Sequence, residues 1–223
     1  MIFAENILVC ISVPLLLSMV FLPRNARRFV GAFVLGMTVC LLAAYIGGFI
    51  SLISGMGRVK TSVYVSPVIE EIMKFLPVLL YLFAFVPSDG QILPVSVGIG
   101  AGFATFENCC YILTSGAGNF GYILIRGMAV GVMHIVSMLA MALGLVIARR
   151  FKVLSPAAVL GALSLSMMFH GLYNLLVSAP GMPATIGYLL PLAGAAMLYI
   201  PYRQMKPGAE AAGVTGTEVP AEK

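Results

Sequence analysis

The chain has 223 residues, of which 61% are hydrophobic and only 9% charged, with 13 basic against 8 acidic side chains. Soluble domains are nearer half apolar and about a quarter charged, and a mean hydropathy of +1.04 lies far to the apolar side. A soluble enzyme, a disordered chain and a nucleic-acid-binding domain are excluded; an integral membrane protein remains, and its net charge of +5 bears on orientation in the bilayer.

Apolar runs broken by charge, proline and glycine predict an all-α polytopic transmembrane helix bundle of about seven spans. The first runs from Ile2 to Phe21 and stops at Pro23-Arg24. It lacks the basic start and small-residue cleavage site of a signal peptide, so it is expected to stay as a span. The second runs from Val30 to Ile53, the third from Tyr64 to Val86, and the fourth from Ile92 to Leu113. The fifth covers Tyr122 to Ala148, the sixth Pro156 to Val177, and the seventh Ala184 to Ile200. Residues 1–202 form one membrane domain in this reading, and the tail 203–223, rich in Gly, Ala, Glu and Pro, is expected to be disordered. Cys10, Cys40, Cys109 and Cys110 all lie in apolar stretches, which suits small buried hydrophobes and not a disulfide framework.

Loop charges set the orientation. With the amino terminus outside, the inner loops hold Arg24, Arg27, Arg28, Arg149, Arg150 and Lys152, and the tail holds Arg203 and Lys206. Arg58, Lys60 and Arg126 are left on the outer side, the loop with Arg58 and Lys60 being the one dissenting vote. The expectation is a multi-pass protein of the cell membrane.

Ionisable groups inside hydrocarbon are costly and mark function by default. Here they are Glu70, Glu71 and Lys74 in the third span, Glu107 in the fourth, His134 in the fifth and His170 in the sixth, with the polar Asn174 beside it. Glu5 and Arg126 lie near span ends, within reach of the interface, and are set aside. Consecutive spans run antiparallel, so Glu70, Glu107, His134 and His170 fall within roughly 10 Å of one another in depth, in the outer half of the membrane. Glu70 and Lys74 share a helix face at i, i+4, as do Phe103 and Glu107, and His170 and Asn174. Glycines 98, 100, 102 and 171 would let helices approach closely around that level.

Carboxylates beside imidazoles in a low-dielectric cavity suit a general base that activates water against an amide. His170 and Asn174 are placed to donate to the developing oxyanion. The same side chains suit a divalent metal, zinc being the ordinary partner of Glu and His, and Glu70, Glu107, His134 and His170 are the candidate ligands. No HExxH stands on one helix, so such a site must be assembled across helices. Blander readings stand beside these: a buried salt-bridge network for Glu70, Glu71 and Lys74, and interhelical hydrogen bonds for Glu107 and His134.

These strings resemble the PrsW family of intramembrane proteases. Glu70-Glu71-Ile72-Met73-Lys74 is similar to its E-E-x-x-K motif, and Phe103-Ala104-Thr105-Phe106-Glu107 to its F-x-x-x-E. His134 stands for its lone helical histidine, and His170 to Asn174 for its last histidine motif. The resemblance covers residues 64 to 177, in order, and leaves the first two spans, the last span and the tail unmatched by motif. The glutamate-dependent CAAX endopeptidases of the same clan use E-E-x-x-x-R, F-x-x-x-H and H-x-x-x-N; Lys74 and Glu107 depart from that pattern and favour PrsW. The resemblance implies hydrolysis of a membrane-anchored protein near the outer face, an anti-sigma factor in the namesake branch. By the same resemblance Glu70 is the water-activating base, and Glu71 its support or the partner of Lys74. Glu107 and His134 orient water or bind metal, and His170 and Asn174 polarise the scissile carbonyl. Two other classes remain open: a proton- or cation-coupled transporter, disfavoured by the absence of an inverted repeat, and a non-catalytic scaffold like the seven-span subunit of gamma-secretase.

Overall fold

The computed structural model describes residues 3–116, 118–151, 153 and 155–205. Among the described residues, seven long helices make up the fold and there is no strand. They are α1 (Ala4–Ser18, closing in the 3-10 turn Met19–Phe21), α2 (Arg24–Ser54), α3 (Ser66–Phe85), α4 (Asp89–Ser115), α5 (Phe120–Arg150), α6 (Ser155–Ser178) and α7 (Met182–Met205). A single turn, Arg58–Lys60, and a π-helical turn, Thr61–Val65, run without a break into α3. The all-α polytopic bundle expected from the sequence is the fold observed.

Each apolar run lies within or close to one helix, and α2 and α4 to α7 extend beyond their runs. The second begins at Arg24, directly after Pro23, and not at Val30. An α-helix satisfies its own backbone whatever its side chains, so it continues through charged residues into the headgroup region where hydropathy no longer marks it. The seventh likewise persists to Met205, past the Arg203 boundary expected for the tail; residues 206–223, Lys206 among them, and Lys152 lie outside the described residues.

Six of these helical segments are long and apolar enough to cross a membrane: Ala4–Phe21, Arg24–Ser54, Asp89–Thr114, Phe120–Arg150, Ser155–Ser178 and Met182–Ile200. The exception is α3, whose 20 residues hold Glu70, Glu71 and Lys74. Its apolar side faces outward at Leu76, Leu80 and Phe83, while Glu71 and Lys74 are wholly buried. The helix is therefore polar toward the protein and oily toward the lipid, the reverse of a helix on a soluble domain.

Helices α4 and α5 form the centre. α4 packs between α2 and α5, α5 carries α6 and α7, and α1 leans on α2. α3 is inserted so that it touches α2, α4, α5 and α6. With little hydrophobic drive between helices in lipid, close approach depends on small residues. A Cβ on Gly102 would overlap the Phe33 carbonyl oxygen of α2, and one on Gly36 would overlap the Ile99 carbonyl oxygen of α4. On the other side of α4, a Cβ on Gly100 would come within 2.8 Å of the His134 carbonyl oxygen. Backbone atoms cannot rotate away, so Gly102→Val is expected to destabilise the protein by about 1–3 kcal/mol or more. Thermal unfolding in detergent checks this, and an unchanged midpoint would refute the tight α2–α4 seam.

Local signals terminate the helices. Gly55, at φ 66°, closes α2 in the left-handed region, where a Cβ would be penalised. Val86 ends α3 at φ 43°, and Pro87 behind it prevents continuation. The Gln91 side chain accepts the Ser88 N–H at 3.2 Å to start α4, and Asn119 Oδ1 accepts the Tyr122 N–H at 3.0 Å to start α5.

Candidate active site

The four motif-bearing helices bring their ionisable side chains into one connected cluster. Lys74 lies at its centre, and all three of its N–H bonds are used. Nζ donates to Glu71 Oε1 at 2.6 Å and to Ser137 Oγ at 3.2 Å, and it meets His134 Nδ1 at 2.9 Å. The Phe103 ring lies 5.1 Å from Nζ and adds its π face. An ammonium has no lone pair, so His134 Nδ1 must accept, and its ring proton sits on Nε2. That proton points at Glu107 Oε2, 2.6 Å away. The other Glu107 oxygen accepts from Arg126 Nη2 at 3.0 Å, and the Arg126 guanidinium stacks 3.8 Å from the centre of the Tyr111 ring.

His170 is held differently. Its Nδ1 lies 2.8 Å from Glu71 Oε1. The carboxylate can only accept, so the proton is on Nδ1 and the Nε2 lone pair is free. That nitrogen stands 3.7 Å from Glu70 Oε2, and Glu70 Oε2 is buried with no hydrogen-bond partner. Two acceptors thus face one another across a gap that neither can close. A carboxylate fixing the far nitrogen of a histidine is also how metal-binding imidazoles are oriented.

The neighbouring carboxylates therefore have separate tasks. Glu71 is fully buried and binds Lys74 and His170 through the same oxygen. Glu70 has a side chain 19% exposed, and it lines a cavity of about 330 Å³ between α2 and α3. The α2 wall of that cavity is made of Ala43, Ala44, Gly47, Gly48 and Ser51, all small. Of the cluster, Glu70 is thus the carboxylate this opening reaches.

Glu70, His134 and His170 each present a ligand atom, and the three atoms lie within 4.8 Å of one another. Two histidines and a glutamate with a fourth position open are an ordinary catalytic zinc set, and the unpartnered Glu70 oxygen faces the His170 lone pair. Glu70 and His170 fit such an ion as they stand, whereas His134, with Nδ1 on the Lys74 ammonium and its Nε2 proton on Glu107, fits only by giving up one of those partners. Glu107, the fourth expected ligand, does not belong to that group; it meets His134 on its Nε2 side.

Asn174 stands apart from the cluster's hydrogen bonds. Its Nδ2 donates to the Ser62 carbonyl at 2.9 Å. In the π turn the N–H of Ser66 reaches back five residues to Thr61, so Ser62 would be served by residue 67. That residue is Pro67, which has no N–H. The Asn174 amide fills the place.

Arg126, set aside from the sequence, is part of the site. It stands eight residues before His134, two helical turns along the same face of α5, and that spacing is the signal that could have found it. Ser137 and Ser166 were also not anticipated; Ser166 Oγ donates to the Ser137 carbonyl at 3.0 Å and ties α6 to α5 beneath the histidines. The four cysteines are all free thiols.

Neither the curated proteins nor the solved structures contain a match to this chain. A family model described as PrsW family intramembrane metalloprotease matches residues 25–201. The match takes in all four motif helices and extends the resemblance over most of α2 and α7. By that match over most of its length, this multi-pass membrane chain belongs to the PrsW family of intramembrane metalloproteases.

Proposed function

We propose that the protein cleaves a peptide bond of a membrane-anchored protein, in the outer half of the membrane, with Glu70 as the base. The observation that carries this reading is the pair of open acceptors, Glu70 Oε2 and His170 Nε2, 3.7 Å apart. A water seated against both donates one proton to each and turns its lone pairs outward, toward an incoming carbonyl. Glu70 takes one proton as the C–O bond forms and returns it to the amine as the C–N bond breaks.

Glu71 and Lys74 act through His170 and His134 in this reading. They keep the His170 Nε2 lone pair on the Glu70 side and the His134 proton on Nε2. Glu107, anchored by Arg126, holds His134 from the other side. Asn174 is a positioning residue that fixes the π turn leading into α3. A divalent ion such as zinc in that gap would take the Glu70 and His170 lone pairs in place of the directly held water, and His134 could join it only by releasing Lys74 or Glu107; it would polarise the scissile carbonyl and make its bound water more acidic.

The outer location is supported by the distribution of charge. Glu107 and His170 both lie near the ends of their helices that join at the Gly116 and Gly181 connections, whereas Arg24, Arg27, Arg28, Arg149 and Arg150 cluster at the opposite end of the bundle. Basic residues mark the cytoplasmic face.

Purified protein with tagged single-span substrates tests the proposal, comparing wild type with His170→Ala and with Asn174→Ala, each with and without a strong chelator. Loss of cleavage with His170→Ala, and a smaller loss with Asn174→Ala that a lower temperature partly restores, is expected. Chelation should stop cleavage and zinc restore it. Wild-type rates in His170→Ala would refute the assignment, and chelator-resistant cleavage would leave Glu70 acting without metal.

A further inference from the structure

A second and larger cavity lies along the same α2–α3 seam, running from Met73 toward the basic end of the bundle. It has a volume of about 640 Å³, within the roughly 300–1,000 Å³ of small-molecule sites. Its walls are apolar: Leu35 and Val39 on α2, Leu76 and Leu80 on α3, with Val95 and Ile99 of α4 as the floor. Leu35, Leu76 and Leu80 are exposed, so the groove opens sideways, where a membrane protein meets hydrocarbon.

The mouth is of opposite character. Arg24, Arg27 and Arg28 line it together. Among the described residues, none of the three is in an ion pair, whereas Arg149 and Arg150, at the same end of the bundle, both pair with Asp89. An apolar slot open to lipid, with three uncompensated guanidiniums at its mouth, matches one chemistry: an acyl chain joined to a phosphate. Arginine is the side chain whose fork suits phosphate oxygens.

We propose that this groove is a binding site for an anionic phospholipid of the leaflet at the basic end. The acyl chain lies between α2 and α3, and the headgroup phosphate meets Arg24, Arg27 and Arg28. The site is independent of the catalytic reading, since none of its residues belongs to the Glu–Lys–His cluster. A substrate helix is the competing occupant, but a hydrocarbon helix would leave three arginines without a counter-charge.

The test uses the full chain, purified in a mild detergent and delipidated, with added phosphatidylglycerol or phosphatidylcholine. Retained lipid is read by native mass spectrometry and stability by thermal unfolding. Wild type is expected to bind phosphatidylglycerol at least tenfold more tightly than phosphatidylcholine and to gain several degrees in unfolding temperature with the former only. The triple variant Arg24→Gln/Arg27→Gln/Arg28→Gln should lose that preference, each basic residue near an anionic surface being worth severalfold in affinity. Gly31→Phe keeps the arginines and fills the groove from α2; it should lose bound lipid by a similar factor. It also decides the matter if the triple variant does not fold. Equal binding of the two lipids, unchanged binding in Gly31→Phe, or displacement of the lipid by a neutral single-span peptide would overturn the proposal.

Discussion

Glu70→Gln is expected to reduce cleavage of a membrane-anchored substrate by about 10³-fold or more while leaving the fold intact. General base catalysis alone contributes roughly 10²–10⁴-fold, and the amide also removes a candidate metal ligand. The side chain keeps its size, and Glu70 Oε2 has no hydrogen-bond partner to lose, so the cluster around Lys74 should be unaffected. Unfolding temperature and helicity should therefore match wild type within error. Retained cleavage would sink the reading of Glu70 as base, and a collapse in stability would move Glu70 into the structural network with Glu71.

Lys74→Met has the largest expected effect on stability. Lys74 and Glu71 are both fully buried and 2.6 Å apart, and the ammonium also serves His134 and Ser137. Removing it leaves Glu71 as a buried charge supported only by His170, a situation that costs about 3–5 kcal/mol. The double variant Glu71→Gln/Lys74→Met removes both charges and is expected to recover much of that loss, as replacement of whole buried pairs often does. Chemical and thermal unfolding of the two single variants and the double variant measures the coupling. If the double variant is as unstable as the sum of the singles, the pair is not coupled. Activity should not return fully with stability, because His134 then lacks the ammonium that fixes its tautomer and His170 Nδ1 is held by a neutral amide oxygen in place of a carboxylate.

Most of the site could be found in the sequence because lipid makes polar residues conspicuous. A charged side chain in a span is rare enough to name itself, so Glu70, Glu71, Lys74, Glu107, His134 and His170 were all evident, as was their common depth. The glycines at 98, 100 and 102 could also be read, because close helix packing in lipid depends on small residues. Arg126 was missed for the same reason that the others were found: near a helix end an arginine can reach water, so its presence carries little surprise. Its inward turn to Glu107 is a rotamer and packing decision.

Order along the chain, spacing on a helix and hydropathy therefore determined the bundle, the family and the list of polar residues that must meet. They could not determine which atom meets which. Two adjacent glutamates are equivalent in sequence, and only the placement of α3 among α2, α4, α5 and α6 makes Glu71 the buried partner of Lys74 and Glu70 the carboxylate in the open cavity. The tautomers of His134 and His170 likewise follow from neighbours on other helices. Asn174 shares a helical face with His170, yet the missing N–H of Pro67 draws its amide to Ser62. Hydrogen bonds are directional and reach about 3 Å, so such assignments depend on helix rotation and approach that emerge only when the whole bundle is packed.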